Sequence, residues 1–460
     1  MKGTAMDTKE CFTIQVIHQP IHKREVLLHP STIDRLEVDK KESIFILFGK
    51  TEGKVQLIAS DSLDENTIGL NEALWKELRI PFPQLCLQVG WMKQSKQLRL
   101  GPILAVLTTV YKEGEAIFGN LTDYCKELAL YCKKHCIFLY VFSLEDIGSD
   151  FINGYVNEHE QWVQKPLPFP DVVHNRIPTR SAENAQKSLL FFQRCRDESI
   201  PFFNDHFLNK WEVYEKLSPY EELKPYLPET VLLEDKATLE FLLAKHECLF
   251  LKPIHGSQGR KIFRVKKMNE WYELDYSTLN GEQRHQFSSY SSLVQNLKNR
   301  IQKRNFIIQQ GLELLTYDGR PFDFRILCHR NDKGEWQVTS AVARVSEKEK
   351  FISNLARGGE QKKIDEVLAR CMDVTKARQL LRFIYELSIE TVTLLSREMD
   401  GLYGELGVDL ALDQNMEPWI LEVNSKPSKN MDLPSRPNTI RPSASTIVQY
   451  SLYLARFSHL

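Results

Sequence analysis

The chain has 460 residues, and its 60 lysine and arginine residues are almost balanced by 61 aspartate and glutamate residues. This length predicts about three domains, while the balanced charge argues against a protein that binds nucleic acid or an acidic membrane through a basic surface. No apolar run approaches the roughly 20 residues that span a bilayer, no secretion signal is recognisable, and the odd number of scattered cysteines predicts reduced thiols.

Residues 1–100 are predicted to form a β-rich, internally duplicated N-terminal domain. The order of strand, short helix and strand in residues 28–49 recurs in residues 70–90, with Leu36 aligned with Leu78. Two such copies predict a small pseudo-symmetric β-barrel. Chance similarity between two β-rich stretches is the alternative.

Residues 101–200 are predicted to form an α/β domain. Short apolar runs at 103–108 and 137–142 flank a helix that starts at Leu121. Strand, helix and strand in this order predict a parallel α/β layer.

Residues 201–460 are predicted to form a third domain of mixed α+β type with a C-terminal tail helix. Apolar residues recur with helical spacing between 376 and 398 and predict a long amphipathic helix. The predicted fold class of the whole chain is therefore multidomain, with α/β and α+β parts.

A lysine and a glycine-containing loop follow an apolar strand in this third part. The ammonium group of the lysine and the backbone N–H groups of the loop can bind phosphate oxygens, although the chain has no Walker sequence. A plain glycine turn is the alternative. The candidate phosphate-binding residues are Lys252, Gly256, Ser257, Gln258 and Gly259.

A strand that ends in a polar segment is the second candidate nucleotide contact. Its amide groups and exposed backbone are suited to hydrogen bonds with an adenine edge, and its glutamate to ribose hydroxyls. The candidates are Gln309, Gln310, Gly311, Leu312 and Glu313.

Two arginines, Arg325 and Arg344, lie among apolar strand residues. Buried arginines need anionic partners, which are either structural carboxylates or a substrate or phosphate group. Further along, the polar, glycine-containing segment 351–359, with Asn354, is suited to closing over phosphates. A plain surface loop is the alternative.

A predicted hairpin near the C-terminus is the candidate metal site. Strand alternation places Ile420, Glu422 and Asn424 on one face, and the preceding strand can place Asp409 beside Glu422. Two carboxylates and an amide oxygen are hard ligands of the kind that hold Mg²⁺. A solvated strand edge is the alternative.

The order of these motifs resembles that of the ATP-grasp fold, from about Phe202 to Lys429. The segments 101–104, 175–180 and 424–429 extend the resemblance over nearly the whole chain, to the YheC/YheD-type ATP-grasp family of endospore-forming bacteria. This resemblance implies two α+β lobes that clasp ATP, preceded by the small barrel and a Rossmann-like pre-ATP-grasp domain.

The resemblance also implies an ATP- and Mg²⁺-dependent carboxylate-amine ligase that forms a carbon–nitrogen bond through an acylphosphate, with release of ADP. ATP would be bound by Lys210, Lys252, the loop from Gly256 to Gly259 and the segment from Gln309 to Glu313. One or two Mg²⁺ ions, or Mn²⁺, would be held by Asp409, Glu422 and Asn424. The implied catalytic residues are Arg325, Arg344 and Asn354.

Two other functions stay open at this point: an endospore coat scaffold that binds ATP without turnover, and an ATP-grasp kinase. The expected partners are ATP, a carboxylate substrate, an amine acceptor and spore coat proteins, without nucleic acid or a membrane span. We expect a cytoplasmic protein that associates with the endospore coat.

Two further segments have two interpretations each. Lys426 is placed to contact either an acceptor carboxylate or a surface anion. The segment 175–180 is suited either to an acidic substrate or to an ion pair at a domain junction.

Overall fold

The computed structural model describes residues 8–17, 22, 24–38, 42–111, 114–256, 261–278, 281–301, 305–346, 359–429 and 439–457. Within these residues the strands form one closed barrel and three six-stranded sheets. None of the helices in the described ranges is long and apolar enough to cross a membrane.

The N-terminal strands form a closed barrel with the order β1-β5-β2-β4-β3-β7-β6, in which β6 pairs again with β1. Its elements are β1 (Thr8–Val16), β2 (Glu25–Leu28), α1 (Pro30–Arg35), β3 (Ser43–Phe48), β4 (Thr51–Ala59), β5 (Thr67–Leu70), α2 (Glu72–Glu77), β6 (Gln84–Met92) and β7 (Gln97–Gly101).

The two short helices of the barrel have the same local geometry. Each is preceded by a capping side chain, His29 for α1 and Asn71 for α2, that accepts a backbone N–H of the first turn. Each is followed by a residue in the left-handed region, Glu37 with φ 53° and Arg79 with φ 56°. The two short helices therefore share their start and end geometry, while the internal duplication of the domain stays a prediction.

The second sheet has the order β11-β10-β9-β8-β12-β13. Strands β8 and β9 are parallel, as the sequence predicted. Strands β12 and β13 are parallel to them as well, and β10 and β11 extend the sheet antiparallel. Its elements are β8 (Ile103–Leu107), α3 (Thr122–Lys134), β9 (Phe138–Phe142), β10 (Ile152–Glu158), β11 (Gln161–Leu167), β12 (Val172–Asn175), α4 (Arg180–Glu183), α5 (Gln186–Asp197) and β13 (Phe202–Phe203).

The third sheet is antiparallel, with the order β14-β19-β15-β16-β17-β18. Its elements are α6 (Lys210–Leu217), β14 (Thr230–Leu232), α7 (Lys236–His246), β15 (Cys248–Pro253), β16 (Phe263–Lys267), β17 (Tyr272–Thr278), β18 (Gly281–Phe287), α8 (Tyr290–Ile301) and β19 (Phe306–Gln310).

The fourth sheet has the order β23-β22-β21-β24-β25, and β20 pairs with β21. Its elements are β20 (Thr316–Tyr317), β21 (Arg320–Arg330), β22 (Trp336–Val345), β23 (Glu360–Lys362), α9 (Ile364–Cys371), α10 (Val374–Glu398), β24 (Glu405–Leu412), β25 (Pro418–Asn424) and α11 (Pro442–Leu454). The predicted long helix is α10, and it begins at Val374 because the Asp373 side chain caps its first backbone N–H groups.

One hydrophobic core is shared by the barrel and one side of the second sheet, from Phe12 to Ile200. On another side of that sheet, α3 packs with the C-terminal helix α11. The C-terminal helix therefore stabilises a layer that lies far from it in sequence. The division into domains at residues 100 and 200 stays a prediction.

The expectation of reduced thiols is wrong for two cysteines. Cys86 in β6 and Cys136, which follows α3, form a disulfide with a Cα–Cα distance of 5.1 Å. It connects the barrel to the second sheet. A disulfide needs only two thiols that the fold brings together, and the folding of the barrel against α3 is not visible in cysteine spacing.

Candidate functional site

A cleft lies between the third and fourth sheets, and α6 forms part of its wall. Predicted residues from four separate segments line this cleft together: Lys210, Lys252, Gln309 and Glu422, with Asn209 and Leu421 beside them. Two lysines, an amide and a carboxylate therefore meet at one place.

Lys210 connects the two sides of this cleft. It is the first residue of α6, which is fixed by a capping box between Asn209 and Glu212. Its Nζ donates to the Gly256 carbonyl oxygen at 2.9 Å and to Glu422 Oε1 at 3.0 Å. The ammonium group thus lies between the loop after β15 and the strand β25.

Lys252 projects into the same cleft from β15 and donates from Nζ to Gln309 Oε1 in the neighbouring strand β19. Burial lowers the pKa of Lys252 to about 8, with a further lowering by Lys210 and an opposing effect of Glu422 and Asp409. Part of the Lys252 population is therefore neutral at mildly alkaline pH.

The end of β19 and the residue after it are held by hydrogen bonds with Glu229, which precedes β14, and with Cys248 in β15. Gln310 Oε1 accepts the backbone N–H of Glu229 at 3.2 Å, and the Gly311 N–H donates to the Cys248 carbonyl at 2.9 Å. A Cβ at Gly311 would lie 2.5 Å from Cys248 Sγ, so the close approach requires glycine. Beyond it, Leu312 is half-buried and Glu313 is exposed.

The predicted hairpin is formed by β24 and β25, and Asp409 lies opposite Glu422. One predicted detail is wrong: Ile420 does not share a face with Glu422. The register shifts at Leu421, so that Ile420 and Val423 both pack in the fourth-sheet core. A bulge of one extra residue moves the side chains that follow it to the other face.

Asp409 is the carboxylate partner of both predicted arginines. Arg325, opposite it in β21, donates from Nε to Oδ1 and from Nη2 to Oδ2, the latter at 2.7 Å. Arg344 Nη2 lies 3.0 Å from Asp409 Oδ2, and its Nε donates to Asp323 at 2.5 Å. The anionic partners of the arginines are thus structural carboxylates.

These contacts determine the ionisation of the cluster. Burial by itself would raise the pKa of Asp409, but Arg325 and Arg344 outweigh it and hold that pKa below its ordinary value. Burial opposes the charge of Arg344 as well, yet Asp323 and Asp409 raise its pKa. The Asp409 carboxylate and the Arg344 guanidinium are therefore charged at neutral pH.

The side-chain oxygen atoms of the hairpin are of the kind that bind a hard divalent cation. The described residues contain no group of three His, Cys, Asp or Glu side chains with metal-binding geometry, so the third oxygen would come from the amide of Asn424. Asn424 Nδ2 is buried and has no hydrogen-bond partner among the described residues, but it is a donor, so a cation would contact the other amide atom, Oδ1. A carboxylate has about four lone-pair positions; the arginines use three on Asp409, and Lys210 uses one on Glu422.

Four predicted site residues lie outside the described part of the chain: Ser257, Gln258 and Gly259 of the glycine loop, and Asn354 of the later loop. Their roles stay predictions. The described end of the glycine loop, Gly256, contacts the site through its carbonyl oxygen.

The segment 175–180 and Lys426 form contacts at a junction between sheets. Arg180 donates to the carbonyls of Phe207 and Leu208, at 2.7 and 2.9 Å. Lys426 is buried and pairs with Glu183, whose carboxylate also accepts from Asn175. Of the two interpretations, these contacts correspond to the junction ion pair, and Lys426 does not contact a surface anion.

A buried charged cluster at the same junction was not predicted from the sequence. Its centre is Glu405 at the start of β24, which is fully buried. The Glu405 carboxylate contacts His174 Nε2 at 3.2 Å, Arg176 Nη1 at 2.5 Å, Asn204 Nδ2 at 3.0 Å, His329 Nε2 at 3.3 Å and Lys429 Nζ. The sequence feature that could have indicated this cluster is the presence of charged residues inside apolar strands.

Comparisons with known proteins agree with this architecture. A family model described as YheC/D like ATP-grasp matches residues 199–454. The endospore coat-associated protein YheD of Bacillus subtilis (strain 168) is 26% identical over 409 residues, which is 85% of this chain and 86% of that protein. The endospore coat-associated protein YheC of the same organism is 25% identical over 313 residues, 67% of this chain and 85% of that protein.

Two solved structures are among those to which this chain is similar. The D-cycloserine synthetase DcsG has 14% identity and a TM-score of 0.45, over 76% of this chain and 99% of its own. The VanG D-Ala:D-Ser ligase of Enterococcus faecalis has 13% identity and a TM-score of 0.45, over 77% of this chain and 99% of its own.

Proposed function

The chain belongs to the YheC/D-like ATP-grasp family, and on that premise we propose that it is an ATP- and Mg²⁺-dependent ligase that joins a carboxylate to an amine. One observation carries the proposal. The Lys210 ammonium lies 3.0 Å from Glu422, so a phosphate-binding cation and a metal-binding carboxylate occupy the same cleft.

Lys210 and Lys252 bind the phosphate groups of ATP in this proposal. Both ammonium groups are positioned by hydrogen bonds, to Gly256 and to Gln309 respectively. Cations that are fixed before the reaction stabilise phosphate charge without reorganisation during the transfer. The segment from Gln309 to Glu313 begins in β19, where Gln309 lines the cleft, and is the proposed adenine and ribose contact.

Asp409, Glu422 and Asn424 would hold the magnesium ion. When bound, Mg²⁺ supplies charge neutralisation between neighbouring phosphate oxygens. The side chains of this chain hold the ligand oxygens in place: Arg325 and Arg344 orient the Asp409 carboxylate, and the β24–β25 pairing sets Glu422 beside it.

The proposed reaction has two steps. A substrate carboxylate oxygen bonds to the γ-phosphorus while the bond to the β,γ-bridging oxygen breaks, which yields an acylphosphate and ADP. An amine then attacks the acyl carbon, phosphate leaves, and the amine nitrogen loses a proton. We assign Arg325, Arg344 and Asn354 to stabilising the negative charge that moves during these steps.

We further propose that the protein associates with the endospore coat, on the basis of the names of its two Bacillus subtilis relatives. The acceptor is unassigned, and the reaction is therefore tested with pools of compounds. Purified protein is incubated with Mg-ATP and pools of amino acids, peptides and cell-wall precursors, and ADP, AMP and phosphate are measured.

The matched variants are Glu422→Gln and Glu417→Gln, which remove one charge each from the same hairpin. Glu417 is exposed in the turn. We expect ADP and phosphate release that needs two co-substrates, reduced about 100-fold or more by Glu422→Gln and unchanged by Glu417→Gln. A stable phosphorylated product would identify a kinase instead, and ATP binding without turnover would favour the coat scaffold.

A further inference from the structure

We propose that Gln309 is a positioning residue that presents the Lys252 ammonium to the nucleotide without neutralising its charge. The inference rests on the proposed function, in which this cleft binds Mg-ATP. It gives Gln309 a role that differs from contact with the adenine base.

The three strands β14, β19 and β15 are neighbours, and their register brings the relevant side chains together. Thr230 lies opposite Gln309, and Gln309 lies opposite Phe250, two residues before Lys252. Residues at such a diagonal position share one face of the sheet and are within reach of long side chains. The sheet therefore places Thr230, Gln309 and Lys252 in a row.

Hydrogen bonds along this row orient the amide of Gln309. The Thr230 hydroxyl donates to the Pro228 carbonyl at 2.8 Å, so its oxygen acts as an acceptor towards Gln309. Gln309 Nε2 donates to Thr230 Oγ1 at 3.0 Å. Because the amide nitrogen faces Thr230, the amide oxygen faces Lys252, and it accepts from the Lys252 ammonium.

The two side chains that set this orientation of the amide are buried. The exposed fraction is 2% for Thr230 and 8% for Gln309. A reversed amide would set Nε2 against the Lys252 ammonium, donor against donor, and would leave the buried Thr230 oxygen without its donor. Both effects cost free energy.

The two lysines of the cleft differ in their partners. Lys210 is paired with the Glu422 carboxylate, which cancels its charge locally, whereas Lys252 is bonded to a neutral amide. Lys252 therefore has no hydrogen-bonded carboxylate that cancels its positive charge, and a phosphate group can neutralise that charge. A carboxylate at position 309 would cancel that charge before a nucleotide binds.

A double-mutant cycle tests whether Gln309 acts through Lys252. The variants are Gln309→Met, Lys252→Met and the double variant, and the dissociation constant of Mg-ATP is measured by titration calorimetry. We expect Gln309→Met to weaken binding about fivefold in the wild-type background and less than about twofold in the Lys252→Met background. A role in fold stability alone would weaken binding equally in both backgrounds, which would overturn the inference.

Three further measurements complete the test. Gln309→Glu keeps a hydrogen-bond acceptor at position 309 but cancels the positive charge of Lys252. We expect this variant to bind Mg-ATP about tenfold more weakly, with a smaller dependence on salt. Gln283→Met, an exposed glutamine on the far edge strand of the same sheet, is the matched control and should bind as wild type. If Gln309→Met does not fold, Thr230→Val, which removes the hydroxyl acceptor, replaces it in the cycle.

The outcomes separate this inference from the proposed function. If the wild-type protein does not bind Mg-ATP, the proposed function fails and the inference fails with it. If wild-type protein binds but Gln309→Glu binds equally tightly, or the cycle shows no coupling, the inference alone is overturned.

Discussion

Asp409 has two roles at the residue scale, because it is both a candidate metal ligand and the common partner of two buried arginines. Arg325 and Arg344 are 7% and 6% exposed. Removing one partner of a buried ion pair leaves an uncompensated charge, and this costs far more free energy than the loss of an exposed pair. Glu422 and its partner Lys210 are more exposed, at 32% and 13% of their side chains.

Two substitutions at the metal site should therefore differ in their effect on stability. We expect Asp409→Asn to lower the free energy of unfolding by about 3–5 kcal/mol, and Glu422→Gln by less than about 1 kcal/mol. Urea unfolding followed by circular dichroism measures both. Equal stability of the two variants would contradict the structural role of Asp409.

At the scale of single elements, the bulge in β25 determines which of its side chains share a face with Asp409. Strict alternation would place Ile420 beside Glu422, but the register shift at Leu421 returns Ile420 and Val423 to the core. Glu422 then lies opposite Asp409 and lines the cleft. Because of one extra residue, the same strand supplies apolar side chains to the core and a polar side chain to the site.

The Glu405 cluster joins elements of two sheets. Its members come from β12, from β21, from β24 and from the segment after β25. Burial lowers the pKa of His174 to about 4, against an opposing hydrogen bond with Glu405. Glu405 itself has a pKa far below its usual range, because Lys429 and Arg176 outweigh the effect of its burial.

His174 should make the stability of the fold depend on pH in a defined window. Its pKa is lower in the folded protein than the ordinary value of 6.5, so its contribution is complete above pH 6.5 and is lost as the pH falls through about 4. We expect wild-type protein to lose about 3 kcal/mol more than His174→Gln over this window. Urea unfolding at a series of pH values measures the difference.

The pH range over which stability changes distinguishes His174 from His206, a second histidine with a shifted pKa at the junction. Hydrogen bonds with Asp205 and Glu212 raise the pKa of His206 to about 9, so its contribution is complete below pH 6.5 and is lost as the pH rises through about 9. An equal loss of stability in wild type and His174→Gln below pH 6.5 would contradict the assignment to His174.

At the scale of the whole molecule, contacts between distant parts of the chain hold the layers together. The barrel and second sheet share one core, and the C-terminal helix packs on α3. The disulfide between Cys86 and Cys136 adds a covalent connection across 50 residues. A crosslink of this length mainly restricts the unfolded chain.

Loss of the disulfide should therefore destabilise the protein under oxidising conditions. We expect Cys86→Ser to lower the free energy of unfolding by about 2–4 kcal/mol, with the difference disappearing in the presence of a thiol reductant. Cys11→Ser, an exposed free cysteine in the same barrel, is the matched control and should have no effect. Thiol counting with and without reductant gives the state of the pair, and equal thiol counts would contradict the disulfide.

The sequence by itself determined the features that depend on neighbouring residues. Strand and helix periodicity identified the barrel strands, the parallel β8–β9 pair, α10 and the β24–β25 hairpin, because burial on one face imposes a period on nearby residues. The opposition of Asp409 and Glu422 also followed from this local pattern, since a short hairpin leaves few possible registers.

The tertiary structure alone decided which distant side chains meet. Thr230, Gln309 and Lys252 form a row because three strands pair in an order that differs from their order in the chain. The pairing of Arg325 and Arg344 with one aspartate, the burial of Lys426 and the disulfide have the same origin. Such contacts join residues that are separated by many positions, and their partners are set by the packing of whole elements.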